Sequence, residues 1–238
     1  MVLRMPTAKF DAAPYRLSGS VYGALLNHRS ALAALGDTAG KPPHNGAPKF
    51  PVLFIKPRNT LIASGECVGV SAETPELEIG ACLGLVIGQT ACNVKVFEAL
   101  QYVAGYLIVN AVSIPHDYYR PGIRQIARDG FCPLGPVLVA SADGPDPDAL
   151  TIRTYVDGVL VQLASTAELI RPAATLLSDV TEFMTLAPGD VLCLGAAAPA
   201  PRVRAGQTVR IEIDGFGALS NPFVSAASAS ASPMSTAP

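Results

Sequence analysis

The sequence predicts an α+β fold that is mainly β. Short runs rich in Val, Ile and Leu recur along the chain, and only two segments carry a helical period. Strands and helices do not alternate as a parallel α/β sheet would need. At 238 residues, half of them hydrophobic and 15% charged, the chain holds material for one large core, with a surplus that argues for a subunit interface.

Taken in order, residues 1–19 hold turn formers without periodicity and read as a lead-in. Val21–Leu26 is a first strand, and Ser30 is placed to cap a short helix through Leu35. Four prolines and three glycines make 36–51 a loop, long enough for a lid or surface excursion. Val52–Ile55 is a strand that delivers Lys56-Pro57-Arg58-Asn59. Residues 64–78 are polar and turn-rich. Ile79–Gly88 and Tyr106–Val112 are near-continuous apolar runs and read as interior strands. Between them, Val96–Val103 suits an amphipathic helix with Phe97, Leu100 and Val103 on one face.

Arg128–Pro136 holds two prolines and two glycines in nine residues, which suits neither a helix nor a central strand; it reads as a buried corner. Val137–Ala140 is a further strand, and 143–148 a surface turn. Asp157-Gly158 joins Thr151–Val156 to Val159–Leu163 as a two-residue hairpin. Pro172 opens a second helix, where its missing donor costs nothing, and Leu176, Leu177, Val180, Phe183 and Met184 form the buried stripe. That helix stops at Pro188-Gly189. Val191–Leu194 is a strand, and Val209, Ile211 and Ile213 alternate inward against outward Arg210 and Glu212. Only Ser, Ala, Pro, Thr and Met occur from 225 to 238, a composition expected to stay disordered. The folded domain is thus expected over 20–224.

The net charge of −2 and the lack of any basic block exclude nucleic acid as an expected partner. No signal peptide or run of roughly 20 apolar residues is visible, so a soluble, cytoplasmic protein without membrane contact is expected. The five cysteines are odd in number and form no C-x-x-C pair. Buried free thiols are the favoured reading. No G-x-S-x-G, P-loop or dinucleotide pattern is present.

Asp129-x-Phe131-Cys132-Pro133-Leu134-Gly135-Pro136 resembles the signature of the fumarylacetoacetate hydrolase superfamily. Leu83–Gly88, Gly105-Tyr106, Asn110-x-Val112, Leu186-x-Pro188-Gly189-Asp190 and Asn221-Pro222 extend the resemblance across 20–224. With Asn27-His28-Arg29-Ser30 and Lys56-Pro57-Arg58-Asn59-Thr60, it is most similar to one branch. This is the N-terminal half, or separate subunit, of the isomerase/decarboxylase of homoprotocatechuate (4-hydroxyphenylacetate) degradation. The resemblance implies that family's mixed β-sandwich roll with flanking helices.

It also implies a site. Active relatives bind Mg²⁺ through a Glu-x-Glu pair and an Asp, because a hard divalent cation needs several carboxylate oxygens and then stabilises an enolate. Those positions here are Gly80, Cys82 and Ala111, so no metal or other cofactor is expected for this chain. Glu76 and Glu78 share the spacing, but using them would slide the strand out of register, and they are read as a solvated loop. The relatives' lid His and Glu fall on Ala31 and Ala34. Their substrate-side Thr falls on Ala196 and their lysine on Ile126, while His28 is read as a solvent-exposed helix start.

Lys56, Arg58, Asn59, Arg120, Arg124, Arg128 and Asp129 remain as candidate substrate-binding residues. Arg58, Arg120 and Arg124 suit a small carboxylated metabolite; the competing reading pairs them with Asp117, Asp129 or a neighbouring subunit. Gln162 and Thr166 read as pins for the turn before the second helix. The whole implies a degenerate domain partnered by a homologous catalytic subunit or by itself. The rival is an active metal-dependent isomerase, decarboxylase or hydrolase of a 2-oxo-carboxylic acid.

Overall fold

A computed structural model describes residues 2–4, 17, 20–41, 46–116, 122–142 and 144–226. In chain order its strands begin with β1 (Val2–Arg4), β2 (Val21–Leu25), β3 (Val52–Lys56), β4 (Leu61–Ile62) and β5 (Val68–Val70). Next come β6 (Glu76–Glu78), β7 (Ala81–Ile87), β8 (Val103–Asn110), β9 (Cys132–Ala140) and β10 (Thr151–Val156). β11 (Val159–Ser165), β12 (Val191–Cys193), β13 (Arg202–Arg204), β14 (Thr208–Ile213) and β15 (Gly217–Ser225) follow. The α-helices are α1 (Arg29–Ala33), α2 (Ile123–Ile126) and α3 (Ala173–Phe183). The mainly β expectation holds.

A large mixed sheet runs β1-β9-β8-β7-β12-β2-β3, with β4 beside β9. A second sheet runs β11-β10-β14-β15-β5, and β13 pairs with β6. Every residue of β7 is buried, as its unbroken apolar run requires of a strand covered on both faces. Leu83, Leu85 and Ile87 share one cluster with Leu176, Leu177 and Val180 of α3 and with Val209, Ile211 and Ile213 of the second sheet. Cys82, Val86, Val109, Leu134, Val191 and Cys193 form a separate cluster on the opposite face of the large sheet. Among the described residues no helix is long and apolar enough to cross a membrane.

Three elements depart from expectation. The Pro/Gly stretch turns only at its start, where the Phe131 N–H donates to the Arg128 carbonyl at 3.1 Å and Gly130 has φ +74°; Cys132–Ala140 is strand β9, paired with β8 and β1. Pro136 is tolerated because the register slips there. Tyr106 faces Val139 while Ile108 faces Gly135, setting two steps of β8 against four of β9, with Gly135 at φ +107°. Val96–Tyr102 is a 3₁₀ segment whose three-residue turn buries Ala99 and leaves Phe97 86% exposed. Phe183, expected in the buried stripe, is exposed, because α3 ends there and Met184 turns extended.

The Asp157-Gly158 hairpin forms as expected, with both residues at positive φ. Strands β5 and β6 lie inside the stretch read as turns, and Glu76 and Glu78 are strand residues. Arg202 and Arg204 of β13 hold Glu76 across the pair, which keeps its carboxyl below the usual range. They are not a solvated loop. Residues 227–238 lie outside the described residues.

Candidate functional site

A cavity of about 220 Å³ lies where β7, β12, β2 and β3 meet the segments that follow β8 and β12. Gly80 and Cys82 from the β7 run, Ala111, Ala31 of α1, Ala196-Ala197 and Ile126 all line it. These are the positions where the resemblance places carboxylates, the lid His, the substrate-side Thr and a lysine; Ala34, at the lid Glu position, is not among the lining residues. They line one cavity, and almost all are small or apolar.

Gly80 has a local reason to be glycine. A Cβ there would sit 2.6 Å from the carbonyl oxygen of Ala111, whose N–H donates to the Gly80 oxygen at 2.9 Å. The Asn110 side chain accepts from the Gly80 N–H at 3.2 Å. The two chains are therefore too close for a side chain at 80. Gly23 acts likewise: a Cβ would be 2.1 Å from the ring of Phe54, which forms part of the wall.

These residues do not fit a hard divalent cation. The three ligand positions offer one thiol and no oxygen, and among the described residues no group of three His, Cys, Asp or Glu is placed to hold a metal. Among the described residues Glu78 is the one carboxylate lining the cavity, and it stands 3.6 Å from the Arg202 guanidinium. Ser113 and His116 complete the polar lining.

Lys56, the last residue of β3, is 1% exposed and lines the cavity. Its ammonium donates to the carbonyl of Val112, and to that of Ile126 at 2.5 Å. The lysine expected at position 126 is absent, yet a cation from another strand reaches that residue's backbone. Burial pulls the Lys56 amine down to about 8, against a smaller opposing effect of Cys132, Cys193 and Cys82. Burial pushes the Cys132 thiol up to about 12. A hydrogen bond with Cys82, and then burial, raises that of Cys193. The three thiols are buried and unbridged, as expected; Cys67 and Cys92 are exposed.

The other candidates sit elsewhere. Arg58, Asn59, Arg124 and Asp129 are exposed, Arg128 is half-buried, and none lines the cavity. Asn59 donates to Asp129 at 2.8 Å and to the Ala127 carbonyl at 3.0 Å, pinning the approach to β9. Arg128 donates to the Arg124 carbonyl at 3.3 Å, and Arg124 lies 3.9 Å from Glu73. Arg120 and Asp117 lie outside the described residues.

His28 is the N-cap of α1, not a solvated side chain. It is 3% exposed, and its Nδ1 accepts from the Ser30 N–H at 3.2 Å. Ser30, expected as the cap, instead accepts from the Ala198 N–H at 2.9 Å. Gln162 donates to the Pro199 carbonyl at 2.8 Å, between the lining residues Ala197 and Ala200, while Thr166 accepts from the Leu150 N–H at 2.8 Å. Sequence reading missed Cys193, whose place beside Cys82 depends on β12 pairing with β7. The isolated Cys in an apolar run was its only signal.

Comparison with known proteins accords with this geometry. Residues 20–224 match the family described as fumarylacetoacetate (FAA) hydrolase C-terminal. Over 209 residues the chain is 43% identical to a 4-hydroxyphenylacetate degradation bifunctional isomerase/decarboxylase of Salmonella dublin, covering 87% of this chain and 48% of that protein. It is 40% identical over 209 residues to a homoprotocatechuate catabolism bifunctional isomerase/decarboxylase of Escherichia coli, with the same coverage. The chain spans about half the length of these curated relatives. The crystal structure of 5-carboxymethyl-2-hydroxymuconate delta-isomerase from Mycobacterium smegmatis superposes with a TM-score of 0.73 at 29% identity, covering 87% of this chain and 79% of that one. The chain belongs to the fumarylacetoacetate hydrolase family.

Proposed function

We propose that the chain is a degenerate family member in aromatic (4-hydroxyphenylacetate/homoprotocatechuate) catabolism, acting as the partner of a homologous, carboxylate-bearing isomerase/decarboxylase subunit. One observation carries the reading: the cavity wall presents Gly80, Cys82 and Ala111 where three carboxylates would be needed. The length of the bifunctional relatives supports it, since each has room for a second half beyond the stretch matched here. A domain that keeps the scaffold while another holds the metal has a role in assembly, or in shaping a neighbouring site.

The test is Mg²⁺-dependent turnover of 2-oxo acids by the pure chain, alone and mixed with a carboxylate-bearing homologue. Activity is expected only from the homologue, and altered by the mixture. Mg²⁺-dependent turnover by the chain alone would overturn the reading. It would favour the alternative, an active metal-dependent isomerase, decarboxylase or hydrolase. For that alternative Glu78, on the wall of the same cavity, is the residue to replace first.

A further inference from the structure

We infer that the cavity is a covalent binding site for small uncharged carbonyl compounds, which the Lys56 amine captures as an imine. The inference needs neither the partner nor the metal, so it stands or falls apart from the function proposed above.

Its first support is the geometry at Nζ. The two partners of Lys56, the carbonyls of Val112 and Ile126, only accept. A neutral amine has two N–H groups, and these two carbonyls satisfy both. Among the described residues the third position at Nζ has no hydrogen-bond partner. It is held by a proton in the ammonium and by the lone pair in the amine. The Phe131 ring lies 5.9 Å away, and no carboxylate of a described residue is within ion-pair distance of Nζ. The site thus accepts the neutral amine without leaving an unpaired donor.

The surroundings also favour the neutral form. Cys82, Cys132 and Cys193 lie nearest, and burial and mutual contact keep Cys132 and Cys193 protonated at neutral pH. Glu78 and His116 are the other titratable groups lining the cavity. With the amine at about 8, about a quarter of it is neutral at pH 7.5, against about 0.1% for a lysine of ordinary pKa. A desolvated lysine in an apolar pocket is an activated nucleophile toward carbonyl carbon.

The cavity selects the ligand. Its volume of about 220 Å³ is below the roughly 300–1,000 Å³ of drug-sized sites, and Ala, Gly, Ile, Leu and Phe54 dominate its walls. Among the described residues, apart from Lys56 itself, His116 is the one lining residue that can carry positive charge, so a carboxylate would meet little compensation from them. The reaction balances. The amine lone pair adds to the carbonyl carbon, the resulting carbinolamine loses water, and a C=N bond replaces C=O. Hydrolysis reverses it.

The experiment uses the full chain with butanal and sodium cyanoborohydride at pH 7.5, which reduces the imine to a stable secondary amine, read by peptide mass spectrometry. Lys56 is expected to be labelled at least tenfold faster than the exposed Lys41, Lys49 and Lys95. Equal or slower labelling overturns the inference. Ala31→Leu fills the cavity from α1 and leaves Lys56 in place. It should cut Lys56 labelling about tenfold without changing the surface lysines, and undiminished labelling also overturns the inference. Pyruvate should label Lys56 more slowly than butanal; the reverse order would overturn the preference for an uncharged ligand.

Discussion

Replacing Lys56 by Met keeps an apolar stem and removes the amine, and the consequence is best read as a function of pH. In the folded chain burial lowers the amine from 10.5 to about 8. Below about pH 8 the folded and unfolded chains both hold its proton. Between about 8 and 10.5 only the unfolded chain does, so the unfolded state binds more protons and stability rises with pH across that window. Between pH 7 and 9.5 this amounts to about 2 kcal/mol, gained by the wild type and absent from the variant. The buried thiols pull the other way. Folding keeps Cys132 and Cys193 protonated when the unfolded chain releases those protons above about pH 9, so stability is lost there. Both proteins carry the thiols, and to first order they cancel in the difference. Urea unfolding of the two proteins at pH 7 and 9.5, followed by far-UV circular dichroism, measures that difference; the chain has no Trp to report by fluorescence. The stability gap should shift by about 2 kcal/mol in favour of Lys56 at the higher pH. Two curves that stay parallel would refute a buried, depressed amine, and with it the reason to expect carbonyl capture.

Grafting Cys82→Glu with Ala111→Asp should lower the melting temperature in chelator, because uncompensated buried charge is expensive. Mg²⁺ should restore it, by about 2.7 kcal/mol at free metal a hundredfold above its dissociation constant. Adding Gly80→Glu should make the graft worse, since a Cβ there meets the Ala111 oxygen, and a Mg²⁺-dependent melting shift in the unmodified chain would show that the site was never vacated. Val159, Leu160, Val161 and Leu163 are all at least 46% exposed on the edge strand β11, so light scattering at micromolar concentration should find an oligomer. Val161→Lys with Leu163→Lys should shift it to monomer, and a wild type that stays monomeric even with a carboxylate-bearing homologue speaks against the partner reading. Deleting residues 227–238 should leave the melting temperature unchanged, because their composition has little apolar surface to offset ordering; a clear drop would show that they dock.

The parts of the fold that were legible are those where local chemistry and tertiary environment agree. The β7 run is apolar throughout and buried throughout, and Asp157-Gly158 has the residues that a two-residue hairpin demands. β9 was misread because proline and glycine were judged by what a regular strand tolerates, whereas the slipped pairing between Ile108 and Gly135 removes that constraint. β5 and β6 were lost for another reason. Three-residue strands hold too little period to detect, and Glu76 and Glu78 are in a strand because Arg202 and Arg204, more than a hundred residues later, pair with them. At the site, most of the family positions fall on the cavity wall, Ala34 excepted. They said nothing of Cys193 or of the Lys56 contacts, which exist only once β12 lies on β7 and β3 closes the sheet edge.

The lack of acids at Gly80, Cys82 and Ala111 and the depressed lysine are electrostatically linked. Lys56 lines the same cavity as Gly80, Cys82 and Ala111. Carboxylates at those three places would favour the ammonium and hold its pKa up, offsetting burial. With a thiol, a methyl and a hydrogen there instead, burial is the larger effect and the amine moves toward neutrality. On the capture inferred above, a cavity wall without acids favours a lysine that acts as a nucleophile, where a carboxylate cage would instead favour its ammonium form. The graft variant tests this coupling as well as metal binding. Cys82→Glu with Ala111→Asp should raise the Lys56 pKa and abolish its preferential labelling by butanal, even where no Mg²⁺ is added.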